Sequence, residues 1–246
     1  MEKLKVFGYS DVGRIRKINQ DRFKFNITKD VTWAIVCDGM GGPNGGEMAA
    51  QIAVDAFEYN FNRQYNEKMT SLSLKNLISV SLNIANIRIL DASKDDENLI
   101  GMGTTAVACI IKNNILHIAH AGDSRAYLIN NEKIEQITKD HSMVQVLVDN
   151  GTISPQEAKD HPEKNLITNA VGIKEELSLD YSEYDLNEYS NIIICTDGLT
   201  NHVEDDLIKE VISNNNDDLK KATLDLINKA NDNGGKDNIT AVLFSL

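Results

Sequence analysis

The chain has 246 residues, of which 41 % are hydrophobic, and a formal net charge of −12, a composition that fits one large soluble domain or two small ones. The acidic balance argues against nucleic acid, whose phosphates would be repelled, and against an anionic membrane surface. It fits a protein that gathers divalent cations, although acidity that only aids solubility is the blander and commoner reading. No run approaches the roughly 18 apolar residues that a spanning helix needs. The N-terminus has no apolar signal-like stretch, so a cytoplasmic protein is expected. Cys37, Cys109 and Cys195 lie inside apolar runs without ligand spacing and read as buried reduced thiols rather than zinc ligands.

Val6 to Ser10 reads as a first strand, and Asp11-Val12-Gly13 as a turn. The basic cluster Arg14-Ile15-Arg16-Lys17 follows and stands out in so acidic a chain, though by charge alone it is only a solvated face. Trp33 to Cys37 is an apolar strand that delivers Asp38 into the glycine-dense stretch Gly39-Met40-Gly41-Gly42-Pro43-Asn44-Gly45-Gly46. Helices are expected over Met48–Tyr65 and Leu74–Leu90 from their apolar stripes, with a polar loop over Asp91–Asn98. Strands over Thr104–Ile111, Ile115–Ala121, Arg125–Ile129 and Ile134–Ile137 form a meander, with hairpin turns at Asn113-Asn114 and Asn130-Asn131.

The strand rhythm breaks over 140–172. Met143–Val148 reads as a short helix, and Ser154-Pro155-Gln156-Glu157 is a capping box with proline at the first helical position. His141 and His161 sit on loops around these helices, where a structural or substrate-edge role is expected. Strands over Leu177–Tyr184 and Asn191–Thr196, helices over Glu204–Ile212 and Asp217–Ala230, and a closing strand from Ile239 to Leu246 complete the chain. No repeat or linker divides it, so residues 1–246 are expected to form one domain.

Asp38, Asp197 and Asp237 each stand at a strand end beside glycine or asparagine. Any single Asp-Gly is usually just a turn; three with the same design suggest one shared site for a hard cation. A nucleotide-binding loop is the rival reading, but Gly46 is followed by Glu47-Met48 where a phosphate loop needs Lys-Ser/Thr.

Asp38-Gly39-Met40-Gly41-Gly42, Gly103-Thr104-Thr105, Gly122-Asp123-Ser124-Arg125, Asp197-Gly198 and Asp237-Asn238, in this order, resemble the bacterial form of the PPM family. These are the metal-dependent, type 2C protein serine/threonine phosphatases. The resemblance runs from about Ser10 to Phe244. It implies an α+β fold, a four-layer α-β-β-α sandwich of two antiparallel sheets flanked by helices. It also implies hydrolysis of phosphoserine and phosphothreonine on proteins, by attack of a water bridging two ions of Mn²⁺ or Mg²⁺.

By the same resemblance Asp38 bridges both ions, the Gly39 carbonyl completes one shell, and Asp197 and Asp237 hold the other ion. Asp123 faces the cluster and is expected to share a third, weaker ion with Asp197. Arg16 binds phosphate, Asp21 holds water beside the metals, and Asn238 orients the ligands. Residues 140–172 match the flap, where His161 is the expected substrate contact. Lys164 and Asn169 stand where the flap motif usually has arginines. Met40 stands where eukaryotic members have a proton-donating histidine, and a thioether cannot donate a proton. A monomer acting on phosphoproteins and opposing a serine/threonine protein kinase is expected, with no nucleic-acid or membrane partner. The competing reading is a non-catalytic regulatory module on the same fold, against which the intact Asp38, Asp197, Asp237 and Arg16 argue.

Overall fold

The computed structural model describes residues 4–215 and 218–246. The strands are β1 (Lys5–Asp11), β2 (Arg22–Ile27), β3 (Thr32–Cys37), β4 (Gly39–Met40), β5 (Gly103–Thr104), β6 (Ala106–Lys112), β7 (Ile115–Ala121), β8 (Arg125–Ile129), β9 (Ile134–Gln136), β10 (Asp180–Asp185), β11 (Asn191–Cys195) and β12 (Ile239–Ser245). The helices are α1 (Gly42–Gln64), α2 (Ser71–Asp95), α3 (Met143–Asp149), α4 (Pro155–Lys159), α5 (Asp197–Thr200), α6 (Asp205–Asn214) and α7 (Leu219–Asp232). One antiparallel sheet has the order β1-β12-β11-β8-β9, a second has β10-β7-β6-β3-β2, and β4 pairs with β5 as a small ribbon.

The strands that read as unbroken apolar runs are buried on both faces, with alternate side chains serving two different cores. In β3, Trp33, Ile35 and Cys37 pack under α1 and α2, where Trp33 meets Phe57 and Phe61. Ala34 and Val36 point the other way, into the layer between the sheets. In β12, Val242 and Phe244 join that middle layer, whereas Ile239, Ala241 and Leu243 face α6 and α7. The result is the expected sandwich of helices, sheet, sheet and helices.

Several elements depart from the sequence reading. The glycine-dense stretch after Asp38 forms the short strand β4 and then the first turns of α1 rather than a free turn. Gly39 and Gly46 allow this, because a Cβ on Gly39 would lie 2.0 Å from the Gly46 carbonyl oxygen. Helix α2 runs on to Asp95, into the segment expected as loop. Its polar last turn keeps its backbone bonds in solvent, and Lys94 pairs with Asp91 one turn back. The expected strand Thr104–Ile111 is split at Thr105, whose backbone and hydroxyl both bond Asp38 instead. Strand β2 was not anticipated, although Phe23, Phe25 and Ile27 alternate with polar residues. The start expected at Asp217 lies outside the described residues; the helix is described from Leu219, with the Asp218 side chain accepting from the Lys221 N–H. No helix among the described residues is long and apolar enough to cross a membrane.

Candidate active site

The ends of β3, β7 and β11 and the approach to β12 meet at one edge of the sandwich, and this brings the distant aspartates together. Within one sheet Cys195 lies opposite Ala241, so the residues following β11 and preceding β12 emerge side by side; within the other Val36 lies opposite Val107, so those following β3 emerge beside the start of β6. A cleft of about 470 Å³ at this edge is lined by Asp38, Asp123, Asp197, Asp237 and Arg16, together with Gly39 and Met40.

Asp38 is rigidly mounted. Its N–H donates to the Thr105 hydroxyl (2.9 Å), and its carbonyl accepts from the Thr105 N–H and the Thr104 hydroxyl (both 2.9 Å). Asp197 opens α5, where the Asn201 amide donates to its Oδ2 at 2.8 Å. Gly198 lets that turn press against the next strand, since a Cβ there would sit 1.9 Å from the Asn238 carbonyl oxygen. Asp237 accepts from Arg16 Nη2 at 2.9 Å.

Asn238 holds the Arg16 loop rather than any carboxylate through its side chain. Its Oδ1 accepts from the Gln20 N–H (2.8 Å), and its Nδ2 donates to the carbonyls of Val12 and Ile18 (3.0 Å each). The amide thus spans the loop that carries Arg16 and fixes it beside Asp237. Asp21, almost wholly buried, accepts from the hydroxyls of Thr196 (2.9 Å) and Thr240 (2.6 Å) through Oδ2, while its Oδ1 has no partner.

So many carboxylates at one buried edge cannot all carry charge unaided. Burial, then the charges of Asp21, Asp197, Asp123 and Asp237, push Asp38 well above the usual carboxylate range. Burial, then Asp197 and Asp140, does the same for Asp123. Asp197 is raised by burial and by Asp237, and Asp21 is pushed up to about 7, chiefly by burial. Asp123 Oδ1, like Asp21 Oδ1, is a buried oxygen without a hydrogen-bond partner. An all-oxygen donor set with orphaned, mutually repelling carboxylates fits a hard divalent cation.

The flap is arranged differently from the expectation. Asn165 and Ile167 line the cleft, and His161 is not among its lining residues. The His161 ring instead accepts from the Glu163 N–H at 3.1 Å and closes a local turn. Lys164 donates to the Lys159 carbonyl and lines an adjoining cavity. Asn169 donates to His141 Nδ1 (3.1 Å) and to the Ser178 carbonyl (2.8 Å), so it is a structural contact here.

His120, His141 and Asp180 form a second cluster of ligating residue types that the sequence reading missed. His120 and Asp180 face each other across paired strands β7 and β10, a proximity that only the register reveals. The hydrogen bonds favour a polar knot over a second cation site. His141 Nδ1 accepts from the Gly122 N–H (3.1 Å), which puts the ring proton on Nε2, facing Asp180 at 3.5 Å. His120 uses Nε2 to donate to the Lys139 carbonyl (2.8 Å), and burial lowers its pKa, keeping it neutral.

Comparison with known proteins agrees with this geometry. The family model described as Protein phosphatase 2C matches residues 14–243. The serine/threonine phosphatase stp of Listeria monocytogenes serotype 4b is 34 % identical over 95 % of this chain and 92 % of its own length. Protein phosphatase PhpP of Streptococcus pneumoniae serotype 2 is 34 % identical over 96 % of this chain and 95 % of its own. The crystal structure of serine/threonine phosphatase Stp1 from Staphylococcus aureus superposes with a TM-score of 0.93 at 32 % identity, covering 99 % of this chain and 95 % of that one. The chain belongs to the protein phosphatase 2C family, whose members are metal-dependent protein phosphatases.

Proposed function

We propose that this chain is a metal-dependent protein serine/threonine phosphatase that hydrolyses phosphoserine and phosphothreonine on proteins. Residues 1–246 act as one catalytic domain, with 140–172 as its flap. The observation that carries the reading is the convergence of Asp38, Asp123, Asp197 and Asp237 with Arg16 on a single cleft. No lysine-bearing phosphate loop accompanies it, which disfavours a nucleotide-driven enzyme.

Asp38, the Gly39 carbonyl, Asp197 and Asp237 would hold two ions of Mn²⁺ or Mg²⁺, and Asp123 with Asp197 would hold a third, weaker one. When bound, these ions supply an activated water and neutralise charge on the phosphoryl group. The chain's own residues do the rest. Arg16 presents a planar fork to two phosphate oxygens, and the Asn238 amide keeps that fork in place. Asp21, behind the cleft and held by the hydroxyls of Thr196 and Thr240, keeps its buried Oδ1 free for a water beside the ions. Met40 offers no proton to the leaving oxygen, so the departing alkoxide takes its proton from solvent in the cleft.

The chain acts as a monomer in the cytoplasm and opposes a serine/threonine protein kinase; its kinship with phosphatases named stp and PhpP supports the phosphatase part of this reading. Release of phosphate from a phosphopeptide, dependent on Mn²⁺ and without ATP turnover, tests the reading. A regulatory module on the same fold would bind the ions and release nothing.

A further inference from the structure

We propose that His141 is a positioning residue for the active site, which fixes the Gly122-Asp123 turn to both ends of the flap and thereby sets the direction of the Asp123 carboxylate. The proposal rests on the phosphatase reading above.

Asp123 is 7 % exposed and its Oδ1 makes no hydrogen bond, so no partner at that oxygen holds it in place. Its direction therefore follows largely from the backbone that carries it. That backbone is pinned at Gly122 by two reciprocal bonds with one residue. The His141 N–H donates to the Gly122 carbonyl (3.0 Å), and the Gly122 N–H donates to His141 Nδ1 (3.1 Å). Gly122 has φ +105°, and a Cβ there would lie 2.6 Å from the Thr105 side chain. The turn is thus wedged between His141 and the residue that mounts Asp38. Ser124, on its far side, shares a 2.7 Å hydrogen bond with the Thr105 hydroxyl.

His141 also joins the two ends of the flap. It follows Asp140, which Arg125 grips with a two-pronged ion pair at the outgoing end. At the returning end, the Thr168 N–H donates to the His141 carbonyl (2.8 Å), and the Asn169 amide donates to Nδ1 (3.1 Å). The outgoing end of the flap, its returning end and the active-site turn therefore meet at this one residue, through its backbone and its imidazole. A shift of the flap root moves the hydrogen-bond acceptor on which the Gly122 N–H depends, and Asp123 lies one residue beyond.

Side-chain lengths give a sharp test. The Oδ1 of asparagine is as many bonds from Cα as the Nδ1 of histidine, so His141→Asn keeps an acceptor for Gly122. His141→Gln places its acceptor one bond further out, nearer the position of Nε2, and His141→Ala has none. Phosphate release from a phosphothreonine peptide is measured for the full chain at stepped Mn²⁺ concentrations. Calorimetric Mn²⁺ titration and thermal unfolding are run beside it.

The expected result is that His141→Ala and His141→Gln raise the Mn²⁺ concentration for half-maximal activity about tenfold, the scale for loss of an outer partner of a ligand. Calorimetry shows the weakest Mn²⁺ site weakened by a similar factor, peptide KM changes little, and His141→Asn stays within about threefold of wild type. In an Asp123→Asn background, His141→Ala adds nothing further, because the two act through one carboxylate. Equal losses in the asparagine and glutamine variants, or additive losses in the double variant, overturn the proposal. Should His141→Ala fail to fold, the asparagine–glutamine contrast still decides. An inert wild-type protein would instead overturn the phosphatase reading, with calorimetry still deciding the role of His141.

Discussion

Arg16 and Asp237 form an ion pair across 221 positions of sequence, with Nη2 of the guanidinium 2.9 Å from Oδ2 of the carboxylate. The group assigned to phosphate is anchored on a group assigned to metal. Asp237, then more distantly Asp38 and Asp197, raises the pKa of Arg16, while its partial burial opposes them more weakly than Asp237 does.

Replacing Arg16 therefore has two opposite effects. Arg16→Ala removes the phosphate fork, so kcat falls and KM rises, with kcat/KM down about 10- to 100-fold, the scale of a lost charge-assisted hydrogen bond. It also removes a cation from beside the metal carboxylates, so the Mn²⁺ concentration for half-maximal activity falls. Steady-state kinetics at several Mn²⁺ concentrations separate the two. Arg14→Ala is the control: its exposed side chain is not part of the cleft lining, and its kinetics stay within about twofold of wild type.

Asp123→Asn keeps the turn and removes the charge. Metal titration of this variant still fills two sites, while kcat falls about tenfold or more. Unchanged kcat across the titration would leave Asp123 as a turn residue only.

Met40 lines the cleft without offering a proton. Substrates with poor leaving groups are handicapped relative to aryl phosphates, which need no protonation. Met40→His speeds alkyl phosphates selectively, and an equal effect on nitrophenyl phosphate would count against this account.

Asp21 makes the metal-free protein sensitive to pH. Burial lifts its pKa to about 7, although the hydroxyls of Thr240 and Thr196 pull it down. The folded state then keeps a proton that the unfolded chain releases above about pH 4. The stability it contributes is present in full below about pH 4 and lost as pH rises towards 7. In chelator, the Tm of wild type relative to Asp21→Asn is expected to fall between about pH 4 and 7 and to level off above that. A difference that grows with pH would contradict the assignment.

Much of this was legible in the sequence because a strand buried on both faces writes itself as an apolar run with a sharp end. Trp33 to Cys37, Ile192 to Cys195 and Ile239 to Phe244 are such runs, and the aspartates lie at their ends. Strand β2 was hidden because its basic start, Arg22, continued the cluster around Arg16, and the alternation of Phe23, Phe25 and Ile27 was outweighed. The glycine-dense start of α1 was hidden for another reason. Glycine is a poor helix former, and only the close approach of Gly46 to Gly39 explains its use there. His141 carried no local signal, since its partners Gly122, Thr168 and Asn169 come from both sides of the flap. His161 was placed by motif, whereas its ring accepts from the Glu163 N–H in a local surface turn.

The most direct test of the account compares wild type with Asp38→Asn in the release of phosphate from a phosphothreonine peptide, with Mn²⁺ and with chelator. Wild type is expected to release phosphate only with the metal and without consuming ATP. Asp38→Asn is expected to be inactive at every Mn²⁺ concentration, yet to unfold at or above the wild-type Tm in chelator, because it removes a carboxyl whose ionisation is opposed by burial and by its neighbours. Substantial turnover by Asp38→Asn, or release that persists in chelator, would contradict the shared metal site on which the account depends.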